Sequence, residues 1–507
     1  MEDVPAEQVA FPTPFGIDYW SAPPPHTVLE RRMMEMSRAI RSKMDWRAKL
    51  HDPAITSTWI REAAAQGLSE AAINYVMKEL DYYLSLESTS HGSPGLIDGV
   101  WIRENCLDAD FVGELRDTIY QVFEDIPEEK KDYHPGSNRM VIDLVHPSLY
   151  CYVHSVTHTV TDRTCSEVDR SCEHCFGKSS YQWIPTNVVV DEAGTVKFTN
   201  YINNIHPEKQ RSVYPLLEKV LGCFIPLFER VLTDLLHPRP HRLDLTGHVW
   251  GMDQVECPID RDASDYDEEY SNWRREREVP LPPIPEFVPP PPVPRFNLHG
   301  RRIQVITKLA TTVLTPERPI YGGGTWHIEG TWRESIVATG IYYYQVENIS
   351  ESRLHFRRAV QDPCYDQDDV KGVKAMFDYD NGATINEALG SLTVHEGMFV
   401  SFPNFYQHYV SPFELKDKTK PGIRKIIVFF LVDPLKDILS TDDIAPQQLE
   451  WYEDGLLDIP NRDQLRRWTM SLEAAKDYRV DLMSERKYIR DDLNRELFER
   501  EFSLCEH

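Results

Sequence analysis

Apolar residues recur at helical spacing in three stretches before residue 130: TVLERRMMEMSRAIRSKMDW from residue 27, AAAQGLSEAAINYVMKELDYYLSL from 63, and DADFVGELRDTIYQVFEDI from 108. Intervals of three and four residues put those side chains on one face, so these segments predict a wrapping helical layer. The period then changes. In SYQWIPTNVVVDEAGTVKFTNYINN, two β-rich runs flank DEAG, which predicts a hairpin and the start of a sheet. The longest apolar stretch, VYPLLEKVLGCFIPLFERVLTDLL, carries Glu218, Lys219, Glu229, Arg230 and Asp234 at spacings that leave one apolar face. It predicts a core helix over 211–236 and no membrane span.

Residues 258–295 join a charged stretch to a proline-rich tract. Prolines remove backbone donors and favour extended polyproline II, so this segment predicts a linker or a strap over the surface. Beyond it, RIQVITKLATTVL, SIVATGIYYYQVENI, RLHFRRAV, GSLTVHEGMFVSFP, QHYVSPFEL and RKIIVFFLVDP are short β-branched and aromatic runs separated by turn residues. Such a series, without intervening helices, predicts an all-β sandwich or barrel, and a jelly roll of about eight strands fits the count. The tail after residue 455 returns to helix.

The expected fold is α+β: a double-stranded β-helix core of the jelly-roll or cupin kind, with an N-terminal helical layer and C-terminal helices. The divisions are a helical region at 1–180 packed on the core, a hairpin and amphipathic helix at 181–257, the linker or strap at 258–295, the catalytic core at 296–435 and a helical extension at 436–507. The helices of the first 130 residues are expected on the outer face of the core, and the strands near 181–200 to extend one of its sheets.

Length alters this picture little: 507 residues correspond to two to four units of roughly 100–200 residues, or to one large elaborated fold. Charge alters it more. A net charge of −26 repels polyphosphate backbones and anionic membranes, which argues against nucleic-acid and membrane partners. The N-terminus MEDVPAEQVAFPTPFGIDYW lacks the basic start and apolar core of a signal peptide, so the expected location is intracellular, in the cytoplasm. Nine scattered cysteines fit a reducing compartment. Cys165, Cys172 and Cys175, with His154, His158 and His174 nearby, fit either a structural zinc site or a loop with free thiols.

The chemistry concentrates in GGGTWHIEGTW. On an extended segment, residues i and i+2 share a face, so His327 and Glu329 converge. His408, in FPNFYQHYVSPF 79 residues beyond Glu329, completes H-x-E…H. Two imidazoles and one carboxylate are the donor set that holds non-haem Fe(II) on three corners and leaves three open, and the absence of thiolate argues against a closed zinc site. Arg424 follows 16 residues after His408, past Pro421 and Gly422, at the start of the next apolar strand. A guanidinium there suits the far carboxylate of a dicarboxylic co-substrate, while Lys425 points to the opposite face.

Across residues 300–435 these features resemble the Fe(II)- and 2-oxoglutarate-dependent oxygenase superfamily, whose pattern is H-x-D/E, a distal His, and an Arg or Lys on the following strand. A longer resemblance, over most of the chain, is to a fungal family known only as a domain of unknown function, carried by KDYHPGSNRMVIDLVHPSLY, YINNIHP, GGTWHIEG, FPNFYQHYVSPFEL, LVDP and SLCEH. The superfamily resemblance implies Fe(II) on His327, Glu329 and His408, and 2-oxoglutarate anchored by Arg424. It also implies an oxidoreductase, a dioxygenase that couples decarboxylation of the keto acid to oxidation of a C–H bond in a small molecule or protein side chain. Two positions depart from the pattern: Glu329 stands where Asp is commoner, and Ile426 where many relatives carry Ser or Thr.

Trp326, Tyr406 and Gln407 are candidates to orient the imidazoles. For the substrate, Tyr342 and Tyr344 share a strand face and Arg357 and the pair Asn203 and Asn204 offer polar contacts; the tyrosines fit a plain core equally well, and the asparagines a helix cap. Two other readings stay open: a cupin-like metal enzyme that does not use 2-oxoglutarate, and a non-catalytic interaction protein with a vestigial site.

Overall fold

The computed structural model describes residues 11–17, 19–86, 91–161, 179–453, 455–457 and 461–504, so the Cys165, Cys172 and Cys175 cluster lies outside the described residues. Helix α1 (Val28–Arg41) begins at a capping box: the Thr27 hydroxyl accepts the Glu30 N–H, and the Glu30 carboxylate accepts the Thr27 N–H. With α2 (Pro53–Ala65) and α3 (Glu70–Ser85) it closes a small core of Met33, Ile40, Trp59, Val76 and Leu80. These helices do not all lie on the outer face of the core as expected. Arg38 donates to the Leu389 carbonyl at 2.6 Å, which ties α1 to a second, smaller sheet.

The region before residue 180 is also less helical than its periodicity implies. Strand β1 (Trp101–Glu104) and strand β2 (Val141–Val145) both join the large sheet, on either side of α4 (Ala109–Ile119). Both are too short for a periodic signal, and their extended form is imposed by pairing with later strands. The predicted hairpin forms from β3 (Thr186–Val190) and β4 (Val196–Phe198), and β3 pairs with the first core strand, extending the sheet as expected.

Helix α5 (Val213–Leu236) lies across the sheet with Phe224 and Phe228 beneath it. The charged half of the 258–295 segment is not linker but helix α6 (Tyr266–Glu276), whose eleven residues put acids in the first turn and arginines in the last. The proline tract that follows is extended and straps α3: Phe287 sits edge-on to Tyr75 at 5.2 Å, and Glu286 pairs with Lys78.

The remaining strands are β5 (Arg302–Leu314), β6 (Ile336–Glu347), β7 (Ser352–Ala359), β8 (Asn386–Val394), β9 (Met398–Pro403), β10 (Gln407–Val410) and β11 (Gly422–Val432). Helix α7 (Val370–Phe377) intervenes between β7 and β8, and α8 (Leu472–Leu493) ends the chain's regular structure but for a last short turn. The large antiparallel sheet runs β1-β9-β6-β11-β5-β3-β4, with β2 also on β5; the small one runs β8-β7-β10. One face of the large sheet, with Tyr342, Phe399, Ile427 and Phe429, packs under α4 and α5. The other, with Tyr343, Val400, Phe402, Val428 and Phe430, packs against Leu354, Phe356 and Leu392 of the small sheet. Among the described residues no helix is long and apolar enough to cross a membrane.

Helix α5 sits so close to β6 that a Cβ at Gly340 would come within 2.7 Å of Phe224. Phe224→Ala is therefore expected to destabilise the protein by about 3–5 kcal/mol through the cavity it leaves. Denaturant unfolding of the full chain checks this; a loss under about 1 kcal/mol would mean that α5 does not clamp the sheet.

Candidate metal centre

The three glycines before His327 let the chain run hard against β10. Gly323 has φ +89°, and a Cβ there would approach the Val410 carbonyl oxygen to 3.0 Å. From this approach follows a single antiparallel bridge: the His408 N–H donates to the His327 carbonyl at 2.9 Å, and the His327 N–H to the His408 carbonyl at 3.2 Å. The bridge sets the two imidazoles side by side, ring centres 4.3 Å apart.

Glu329, two residues on, turns to the same side. Its Oε1 lies 3.5 Å from Nε2 of both histidines, and the three donor atoms lie within 4.8 Å of one another. Donor bonds on the order of 2.1 Å put adjacent ligands roughly 3 Å apart, so this is a spacing that one ion can span.

Asn404 holds the carboxylate's backbone in place. Its Oδ1 accepts the Glu329 N–H at 2.9 Å, and its Nδ2 donates to the carbonyls of Glu329 and Ile336 at 2.8 and 3.2 Å. His327 donates Nδ1–H to the Thr325 carbonyl at 2.7 Å, which turns Nε2 toward Glu329. Nδ1 of His408 is buried without a partner.

Burial alone would raise the Glu329 carboxyl, but hydrogen bonds and charge from both histidines outweigh it and hold the group well below the usual carboxylate range. Burial, helped by the charge of His327, pushes His408 down to about 4. Burial also depresses His327, yet its contact with Glu329 leaves it raised. Near neutral pH the set thus offers a carboxylate and a neutral His408, the states that a metal needs.

Arg424 is buried, and its Nη1 donates to Ser352 Oγ at 3.0 Å while its Nε has no partner. No carboxylate pairs with it among the described residues. Lys425 faces the other way and pairs with Glu124 at 2.7 Å. Arg424 and Ile426 line the same cavity as His327 and Glu329, of about 410 Å³, which α8 covers with Leu482, Ile489 and Leu493.

The other sequence-derived candidates lie elsewhere. Tyr342 and Tyr344 point to the outer face beneath α5, where Tyr342 stacks on Phe399 at 3.9 Å, so they are core and not pocket. Arg357 bonds Gln407 at 2.7 Å and pairs with Glu499 at 2.6 Å. Asn203 and Asn204 donate to the carbonyls of Tyr150 and Leu149 at 3.0 and 2.8 Å, pinning that turn without reaching the cavity. Trp326 meets Tyr409, and the Tyr406 hydroxyl donates to the Asp98 carbonyl, so neither orients an imidazole; Gln407 lines the cavity. Sequence reasoning missed Asn404 and Ser352, although Asn404 stands in the FPNF phrase beside His408. It also missed a second polar group on the cavity wall, His134, Asp143 and His146 with Lys308.

The chain belongs to the family described as "Protein of unknown function (DUF4246)", whose profile matches residues 70–455; the N-terminal domain of the same family, also of unknown function, matches residues 3–62. No curated protein matches the chain. Among solved structures, it resembles the Fe(II)/α-ketoglutarate-dependent dioxygenase TqaL at 10% identity, over 77% of this chain and 95% of that one, with a TM-score of 0.28. It also resembles AviO1 from Streptomyces viridochromogenes Tue57 at 10% identity, over 68% and 93%, with a TM-score of 0.23. IDO from Bacillus thuringiensis overlaps at 9% identity over 26% of this chain, which spans 46% of that one, with a TM-score of 0.17.

Asn404→Ala deprives one partly buried N–H and two carbonyls of their partner, and is expected to cost roughly 1–3 kcal/mol. Denaturant unfolding measures it; a change within about 0.5 kcal/mol would show that the Glu329 turn holds itself.

Proposed function

We propose that this protein is an Fe(II)- and 2-oxoglutarate-dependent oxygenase whose metal ligands are His327, Glu329 and His408 and whose co-substrate anchor is Arg424. One observation carries the reading: His327 and Glu329, which converge with His408, line one cavity with a buried guanidinium that has no acid partner among the described residues. The donor set fits Fe(II), with oxygen and imidazole ligands and no thiolate. The unpartnered Arg424 Nε fits a bidentate carboxylate. Lys425, engaged by Glu124, is excluded as the anchor, and Arg424 is what favours this reading over a cupin-like enzyme without the keto acid.

The strand orders support a double-stranded β-helix as the core. In the large sheet β9-β6-β11-β5 run as neighbours, and facing them β8-β7-β10 continue through the His408–His327 bridge into the segment that bears Glu329. Four positions on each side make the eight of a jelly roll, and the metal ligands lie on the small-sheet side.

When bound, Fe(II) and 2-oxoglutarate supply the oxygen activation that oxidises a substrate C–H bond. The protein's own part is positional. Thr325 fixes the His327 tautomer, Asn404 fixes the Glu329 backbone, and Arg424 with Ser352 orients the keto acid by its remote carboxylate. Leu482, Ile489 and Leu493 of α8 give the cavity an apolar wall. Its 410 Å³ suits a small molecule beside the co-substrate rather than a folded protein surface.

His408→Ala is expected to abolish Fe(II) binding in anaerobic titration while the circular dichroism spectrum stays unchanged; an unfolded variant would make the histidine structural. Arg424→Ala should weaken 2-oxoglutarate at least about 30-fold with little change in Fe(II) affinity, because an anion loses its buried partner. Arg424→Lys should restore part of it. The visible band of the metal-chelated keto acid reports both. Unchanged affinity in Arg424→Ala would move the anchor elsewhere, and no band in the wild type would favour the cupin-like enzyme.

A further inference from the structure

Opposite the proposed metal ligands the cavity has a second polar wall. Strand β2 lies on β5 with Asp143 opposite Ala310, and β11 lies on the other side of β5 with Ile426 opposite Ala310 and Arg424 opposite Thr312. Val141 and Asp143 of β2 therefore open onto the same space as Lys308, Ala310 and Thr312 of β5, and all of them line the cavity. His134 and His146 close this wall from the turns on either side of β2.

The hydrogen bonds assign a role to each ring nitrogen. His134 Nδ1 contacts Asp143 Oδ2 at 2.9 Å, and since a carboxylate only accepts, a proton is on Nδ1, so that in the neutral ring Nε2 is the acceptor. His146 is the reverse: its Nδ1 accepts the Ser148 N–H at 3.2 Å, so its proton is on Nε2. Burial keeps that ring neutral, with its pKa pushed down to about 3. The wall thus sets a hydrogen-bond acceptor beside a donor, on rings 5.3 Å apart. Lys308 adds a positive charge, is felt by both Asp143 and His146, and forms no ion pair among the described residues.

A second metal ion would also find three donor atoms here, all within 4.8 Å. Two features oppose it: the proton on His146 Nε2 and the ammonium of Lys308. Both instead attract an anion. In register Lys308 faces Val428, four residues along β11 from Arg424, roughly 13 Å at strand spacing, so the two cations mark separate positions. Between and around them Trp183, Leu482, Ile489 and Leu493 supply apolar surface.

We propose that His134, Asp143, His146 and Lys308 form the subsite for the oxidised substrate, a small carboxylate with an O–H or N–H on the adjacent carbon and an apolar side chain. Lys308 and His146 Nε2–H hold the carboxylate, while His134 Nε2, kept in place by Asp143, accepts the neighbouring hydrogen. The side chain lies against α8. This inference rests on the oxygenase reading for its consequence, but the binding does not require the metal.

The test is calorimetric titration of the full, metal-free chain with L-phenyllactate, L-phenylalanine, L-2-hydroxyisocaproate and L-leucine, against 3-phenylpropionate and phenethylamine as probes that lack one of the two groups. At least one of the hydroxy or amino acids should bind about tenfold or more tighter than both controls; which of them does separates hydroxy from amino acid. Lys308→Met and His134→Gln, at positions that are not fully buried, should each weaken that probe about tenfold while the Fe(II)–2-oxoglutarate band forms as in the wild type. The proposal falls if none of the probes outbinds the controls, or if Lys308→Met weakens 2-oxoglutarate instead. It also falls if the wild type takes up a second equivalent of metal that Asp143→Asn loses. No keto-acid band in the wild type would instead overturn the oxygenase reading, and the calorimetric result would stand apart from it.

Discussion

The register of β11 between β6 and β5 is the constraint on which the remainder depends. The strand is paired on both edges and buried on both faces, so a slip of one residue would exchange its two faces completely. In the native register Arg424 opens into the cavity and Lys425 meets Glu124 on the far side; slipped, a paired lysine would enter the cavity and the guanidinium would meet the helices. What prevents the slip is apolar. Ile427, Phe429 and Leu431 fill the space under α4 and α5, and Val428, Phe430 and Val432 fill the space between the sheets. Each such side chain contributes about 1.5–3 kcal/mol, so the six together outweigh the several kcal/mol, roughly, that burying one cation costs. The hydrophobic pattern therefore positions the charge.

That same pattern explains which parts of the molecule were legible in the sequence. Strands β5 to β11 announce themselves by β-branched and aromatic runs between turns, and a period of two was enough to read His327 and Glu329 as convergent, whereas His408 and Arg424 came in through the resemblance to the oxygenase pattern. Tyr342 and Tyr344 failed for a related reason. Residues 336–344 of β6 are buried without interruption, so no polar alternation marks which face is inner, and it is Tyr343 that faces inward. Strands β1 and β2 carry little local signal because the sheet, not their own composition, makes them extended. The His134, Asp143 and His146 group was hidden further still. It depends on a turn before β2, on an irregular register between Asp143 and Val145, and on a turn after it, none of which a linear spacing expresses.

Charge in the cavity runs against charge in the chain. With a net charge of −26, the protein has acids to spare, yet among the described residues Arg424 and Lys308 have no carboxylate partner, while Lys425, Arg357 and Arg486 are paired. Arg424 is buried and Lys308 partly so, and a cation withdrawn from water without a counter-charge is costly. Of the carboxylates the cavity does hold, Glu329 faces the two imidazoles, and Asp143 engages His134 through Oδ2 while its Oδ1 has no hydrogen-bond partner among the described residues. A divalent ion on the first set would add positive charge to an interior already short of anions. A low-dielectric space favours anionic guests beside such cations, and the roughly 13 Å between the backbone positions of Arg424 and Lys308 along the sheet is the spacing on which the proposal of two guests rests.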